Sequence, residues 1–156
     1  FKQKTAYEIR LSLVGSEMCI RDRVKEESII FVHDGVRCLL SKSLIQRCYE
    51  AALENGATIP VIDSKDSIRL VRGESNEAID RSMIKLVQTP QTFHSKILLP
   101  AFNIDFKDKF TDEATVVEAF GIPVNLIEGE DDNIKITTTR DLLFAELLMQ
   151  SREKNV

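Results

Sequence analysis

The chain of 156 residues lacks the glycine clusters on which many nucleotide enzymes cradle phosphate: its six glycines never come closer together than Gly121 and Gly129. That excludes a Gly-x-Gly-x-x-Gly turn and a P-loop. The three cysteines, Cys19, Cys38 and Cys48, are odd in number and have no Cys-x-x-Cys or His-rich spacing, so neither a disulfide framework nor a zinc site is indicated and a reducing cytoplasm is the simpler setting. No apolar run approaches the ~20 residues of a membrane span, and no stretch has the apolar core of a signal peptide. A basic excess is missing too. The net charge of -4 argues against a nucleic-acid partner, while local basic residues can still take a small phosphorylated ligand.

What is present, 43% hydrophobic and 29% charged residues, suits a soluble globular domain or part of one. Residues 1–23 have neither a clean 3.6 nor a clean 2 period, and Leu13 to Arg23 resembles the translation of a sequencing adapter. This segment is expected to be non-native, the other reading being a helix plus linker. If it is non-native, the natural protein begins upstream.

From Val24 the pattern is orderly. Ile29-Ile30-Phe31-Val32 reads as a strand buried on both faces, ending in His33-Asp34-Gly35-Val36-Arg37. Ser41 can cap a helix with Leu44, Ile45, Cys48 and Ala52 on one face and Gly56 just beyond its end. Thr58 to Ile62 is the next strand, and strand-helix-strand order implies a right-handed crossover in a parallel sheet. Residues 64–81 read as a projecting hairpin turning at Arg72 to Asn76, which needs a surface to pack on, such as a second subunit. Ile84 to Gln88 is a strand that Pro90 ends in a loop. A short helix from Ser95, limited by Pro100, a helix capped by Thr111 and stopped by Gly121, a strand over Val124 to Ile127, and a final helix capped by one of Thr137, Thr138 and Thr139 complete the chain.

Ligands of open α/β sheets bind beyond the carboxyl ends of strands, which is where Asp34 and Arg37 project. There a carboxylate can hold magnesium or a ribose hydroxyl and a guanidinium can clamp phosphate; the alternative is a loop-stabilising ion pair. Lys135, between two apolar residues ahead of a capped helix, is either an anion ligand or a solvated lysine. Asp131-Asp132-Asn133 can supply oxygens to a hard cation or form an ordinary acidic turn. Thr111-Asp112-Glu113 is explained by capping, His33 by orienting the loop that follows it, and His94 reads as exposed.

Taken together, Val32 to Arg37, Val87-Gln88-Thr89-Pro90-Gln91-Thr92-Phe93, Thr111-Asp112-Glu113-Ala114 and Glu128-Gly129 with Asn133 to Thr137 resemble the 2-C-methyl-D-erythritol 4-phosphate cytidylyltransferase family. The resemblance covers residues 28–150 and makes 24–156 the C-terminal part of a single cytidylyltransferase domain. It implies a Rossmann-like nucleotidyltransferase fold, a three-layer α/β sandwich truncated at its N-terminal half, with residues 64–81 as a projecting β-arm. The implied reaction moves a cytidylyl group from CTP, with Mg2+, to the methylerythritol phosphate and releases pyrophosphate in isoprenoid precursor synthesis. Arg81 and Lys135 are then the catalytic positions, and Asp34, Arg37, Ser67 and Thr89 the substrate-binding ones, with Asp34 also facing the metal. The arm would join a homodimer and deliver Ser67 and Arg81 to the neighbouring subunit's site. Gly35 and Cys38 stand where the family commonly has alanine and proline, which loosens that loop but removes no functional group. The family's basic, Gly-rich loop is missing, so this chain alone is expected to be inactive or nearly so. A ribitol 5-phosphate cytidylyltransferase and a non-catalytic dimerising remnant are the competing readings.

Overall fold

The structure, a computed structural model, describes residues 20–24, 27–105, 107 and 109–153. Of the segment 1–23, residues 1–19 lie outside the described residues; Ile20, and Val24 just after it, pack against the core. The elements are β1 (Ile29–Val32), α1 (Lys42–Asn55), β2 (Ala57–Asp63), β3 (Ile68–Arg72), β4 (Ser75–Ile79), a 3-10 turn (Arg81–Met83), β5 (Lys85–Val87), β6 (Gln91–His94), α2 (Ser95–Ala101), α3 (Glu113–Ala119), β7 (Asn125–Glu128) and α4 (Thr139–Glu153).

The sheet is mixed rather than parallel. β1 and β2 run the same way, but β6 is inserted between them and pairs antiparallel with both, while only β2 and β7 form a parallel ladder. A helix does connect β1 to β2, but the two strands are not neighbours. The inserted strand follows Pro90, where the sequence pattern predicts a loop: β5 and β6 both pair with β2, and the cis Thr89–Pro90 bond lies between them. Proline breaks the ladder locally, yet the Gln88 amide still donates to the Pro60 carbonyl at 2.9 Å, so the chain stays alongside β2.

Alternation along β2 sorts the two faces. Ala57, Ile59 and Val61 join Ile30, Phe93, Leu98, Ala101, Phe110, Ala114 and Val117 in a core beneath α2 and α3. The intervening face, with Thr58, Pro60 and Thr92, lies under α1, which buries Leu44, Cys48 and Ala52. Helices on both faces of one sheet make the three-layer sandwich. Ile45 falls outside the buried stripe at 40% exposure, and Phe31 at 38% shows that β1 is apolar on both sides but less covered on one of them.

Ser41 caps α1, accepting from the Leu44 amide at 2.9 Å, and Gly56 takes φ +82° after it, a conformation that suits glycine. The cap of α3 is Asp112 rather than Thr111; its carboxylate accepts from the Thr115 amide at 2.9 Å, one residue nearer the helix than expected. At α4 the Asp141 carboxylate accepts from the Thr138 amide at 2.8 Å, and the Asp141 amide donates back to Thr138 Oγ1 at 3.3 Å, a reciprocal cap. The hairpin β3–β4 forms as expected and turns at Gly73 with φ +60°. Among the described residues, no helix is long and apolar enough to cross a membrane.

Candidate active site

The carboxyl end of β1 opens into a cleft of about 520 Å³ lined by His33, Asp34, Arg37, Thr89 and Lys135 among others. Four of the six residues expected at a site thus meet. One carboxylate oxygen, Asp34 Oδ2, lies 3.3 Å from Arg37 Nε and 3.2 Å from Lys135 Nζ. A single carboxylate between two cations keeps both in place and leaves the trio with one net positive charge. The Arg37 side chain is 12% exposed. It is held by more than charge, since Nη1 donates to the Asn133 carbonyl at 2.7 Å and Nη2 to the Val87 carbonyl at 3.4 Å.

The loop at Thr89 is tied to the loop at Asp34 directly. The Asp34 amide donates to Thr89 Oγ1 at 3.0 Å, and Thr89 Oγ1 lies 2.8 Å from His33 Nδ1, whose ring reaches the Arg37 carbonyl through Nε2 at 2.9 Å. His33 does orient the neighbouring loop. His94 instead is partly buried, 3.1 Å from Glu27 and, as the N-cap of α2, 3.4 Å from the Lys96 amide.

Behind the cleft is a polar clasp that the sequence patterns did not reveal. Buried Gln88 donates to the Glu130 carbonyl at 2.8 Å and accepts from the Glu130 amide at 3.1 Å, while buried Asn133 donates to the Thr89 carbonyl at 2.8 Å. Gly129 is required here: a Cβ would come within 2.4 Å of Gln88 Oε1 and 3.1 Å of the Val61 carbonyl. The signal available in sequence was the polar pair Gln88 and Asn133 inside otherwise apolar or acidic stretches. The opposite wall comes from Thr111, Asp112 and Glu113, which sequence reasoning assigned to capping alone. Register explains their presence: Gln91 pairs with Val32 at the end of β1, and its amide binds Asp112 Oδ2 at 2.8 Å and the Ala114 amide at 2.9 Å.

Ser67 and Arg81 do not reach this cleft. Ser67 is exposed at the foot of the arm, and Arg81 lines a separate recess with Ser64, Lys65 and Lys85, its Nη1 donating to the Lys65 carbonyl at 2.8 Å. The acidic turn disperses: Asp131 pairs with Lys65 at 2.8 Å and Asp132 with Arg152 at 3.5 Å. Among the described residues, no three His, Cys, Asp or Glu side chains are grouped to hold a metal ion.

A three-layer α/β sandwich with this cleft at its strand ends defines the class, a Rossmann-like nucleotidyltransferase fold. The family 2-C-methyl-D-erythritol 4-phosphate cytidylyltransferase matches residues 19–151, and the chain belongs to it. The 2-C-methyl-D-erythritol 4-phosphate cytidylyltransferase of Phocaeicola vulgatus is 46% identical over 126 residues, covering 81% of this chain and 58% of that protein; its counterpart in Bacteroides thetaiotaomicron is 44% identical with the same coverage. The crystal structure of the Thermus thermophilus enzyme of that name superposes with a TM-score of 0.72 at 32% identity, covering 90% of this chain and 69% of that one. The chain thus spans little more than half the length of the curated relatives it matches.

Proposed function

We propose that this chain forms the acceptor-binding side of an enzyme that transfers a cytidylyl group from CTP to 2-C-methyl-D-erythritol 4-phosphate. The observation that carries the reading is the convergence of Asp34, Arg37, Thr89 and Lys135 in one cleft, in a chain of this family. Nucleotidyl transfer depends mainly on positioning and charge stabilisation. Arg37 and Lys135 would hold the acceptor's phosphate so that one of its oxygens attacks the α-phosphorus of CTP; the bond to the β-phosphoryl oxygen breaks and pyrophosphate leaves. Asp34 would keep both cations oriented and Thr89 would contact the acceptor.

Magnesium on the triphosphate belongs to the same reading, since such ions are bound mainly through substrate phosphates and one or two carboxylates. Asp34 is a poor ligand for it as placed, because Oδ2 already faces two cations. The role we give Asp34 is therefore to orient Arg37 and Lys135.

Ser67 and Arg81 are assigned to the site of a second subunit in a homodimer joined by the arm. Their exclusion from this chain's own cleft supports that assignment, as does an arm whose strands pack on each other and little else. A reducing compartment, the cytoplasm, suits free Cys38 and Cys48.

The test is pyrophosphate release by the complete gene product with CTP and each of two acceptors. Release with methylerythritol phosphate supports the reading; release with ribitol 5-phosphate alone would replace it, and release with neither would favour a non-catalytic remnant. With the complete enzyme, Lys135→Ala and Arg81→Ala are expected to lower kcat/KM by at least about tenfold, the equivalent of ~1.4 kcal/mol of transition-state stabilisation.

A further inference from the structure

We infer that His33 fixes the direction of the Thr89 hydroxyl, so that Thr89 faces the cleft as a hydrogen-bond acceptor and recognises a hydroxyl of the ligand rather than a phosphate oxygen. The inference deepens the proposed function and rests on its reading that the cleft takes a polyol phosphate.

The Arg37 carbonyl can only accept, so the ring nitrogen 2.9 Å from it, His33 Nε2, carries a hydrogen. A neutral imidazole has one such hydrogen, and Nδ1 is therefore an acceptor. The Thr89 oxygen 2.8 Å from Nδ1 must donate to it. That same oxygen already accepts from the Asp34 amide at 3.0 Å. A hydroxyl offers one hydrogen and two lone pairs, and one lone pair is what remains.

Thr89 lines the cleft, and in our inference the remaining lone pair is what it offers a ligand there. A deprotonated phosphate oxygen has no hydrogen to offer it and is repelled; an alcohol has one. The donors for phosphate are nearby and separate. Arg37 has five N–H groups and, among the described residues, uses three. Lys135 has three and, among the described residues, uses one, on Asp34. The cleft is polarised accordingly: phosphate at Arg37 and Lys135, a carbon-borne hydroxyl at Thr89. His33 is a positioning residue in this arrangement, acting on the ligand through Thr89.

The decisive measurement is the tautomeric state of His33 in the 156-residue chain, read from long-range 1H–15N correlations at neutral pH. The only other histidine is His94, and a His94→Asn variant assigns the two. A single Nε2–H form is expected, and Thr89→Ser should leave the Nδ1 shift where it is. Thr89→Val should move it to that of a nitrogen without a hydrogen-bond donor. A ring protonated at Nδ1, or an Nδ1 shift indifferent to Thr89→Val, would overturn the inference; if the valine variant does not fold, the wild-type tautomer alone decides.

Titration with 2-C-methyl-D-erythritol 4-phosphate and with inorganic phosphate reads the consequence. Thr89→Val should weaken the polyol phosphate by up to about tenfold, the worth of one hydrogen bond, and leave inorganic phosphate unchanged. Equal weakening of both would count against an acceptor role. Binding of neither would defeat the acceptor-site reading, while the tautomer would still support or overturn the role given to His33.

Discussion

Gln88 ties the loop that enters the cleft at Thr89 to the backbone of Glu130 behind it, and the reason lies in single atoms. The Gln88 amide satisfies both the carbonyl and the amide of Glu130, and it can do so only because Gly129 has no side chain to displace it. Gly129→Ala pushes the Gln88 amide out of register and leaves buried groups unpaired, a loss of ~1–3 kcal/mol. It should lower the urea midpoint without altering the m-value; an unchanged midpoint would mean that the clasp can rearrange. Asn133→Ala removes the donor to the Thr89 carbonyl and should broaden the Thr89 and Arg37 resonances even where the fold survives. Cys48 gives a second check on the interior. It is fully buried on the inner face of α1 and burial raises its thiol pKa, an effect opposed in part by a hydrogen bond with Thr92. Mass mapping after maleimide treatment should find Cys38 modified in the native protein and Cys48 modified only after unfolding; early labelling of Cys48 would show that α1 opens locally.

At the scale of elements, the start of α4 carries the clearest pH dependence. The Asp141 carboxylate accepts from the backbone amides of Thr137 and Thr138, and these bonds, with weaker help from the two hydroxyls, hold its pKa at about 2. The folded value lies below the unfolded one of about 3.9, so this contribution to stability is complete above the unfolded value and is lost as pH falls through about 2. Asp141→Asn removes the dependence. Urea midpoints of the two proteins should differ at pH near neutral and draw together in that acidic window; a constant gap would show that the carboxylate's charge does not matter at this cap. Such caps were legible in the sequence because they are local: Ser41 ahead of α1, a threonine ahead of α4 and the hairpin around Gly73 each follow from a few adjacent residues. Asp34, Arg37, Thr89 and Lys135 were legible too, through the motifs that carry them. β6 was not, because Pro90 signals an end locally while pairing with β1 and β2 is decided elsewhere. Gln88 and Asn133 were hidden for the same reason, their partners being 42 and 44 residues away.

The molecule as a whole places its expected site residues in two regions, and an assembly would reconcile them. Asp34, Arg37, Thr89 and Lys135 share the cleft, while Ser67 and Arg81 lie at the base of an arm that exposes Leu70 and Val71. A two-stranded hairpin is marginally stable in water unless something covers it. If a second copy covers it, as proposed, the arm is needed for mass and for the site together. Replacing residues 66–79 by a short Gly-Ser linker should halve the mass measured by light scattering and leave the circular dichroism of the sandwich intact, because β3 and β4 lie in a sheet of their own. In the complete enzyme the same change should abolish turnover. Mixing it with an Asp34→Asn subunit separates dimerisation from catalysis: a mixed dimer can bring the intact arm of the Asp34→Asn subunit to the intact cleft of the armless one. Partial recovery of activity on mixing would show that the arm, Ser67 included, acts across the interface. An unchanged mass on removal of the arm would instead confine it to a single chain, and Arg81 would have no route to the cleft.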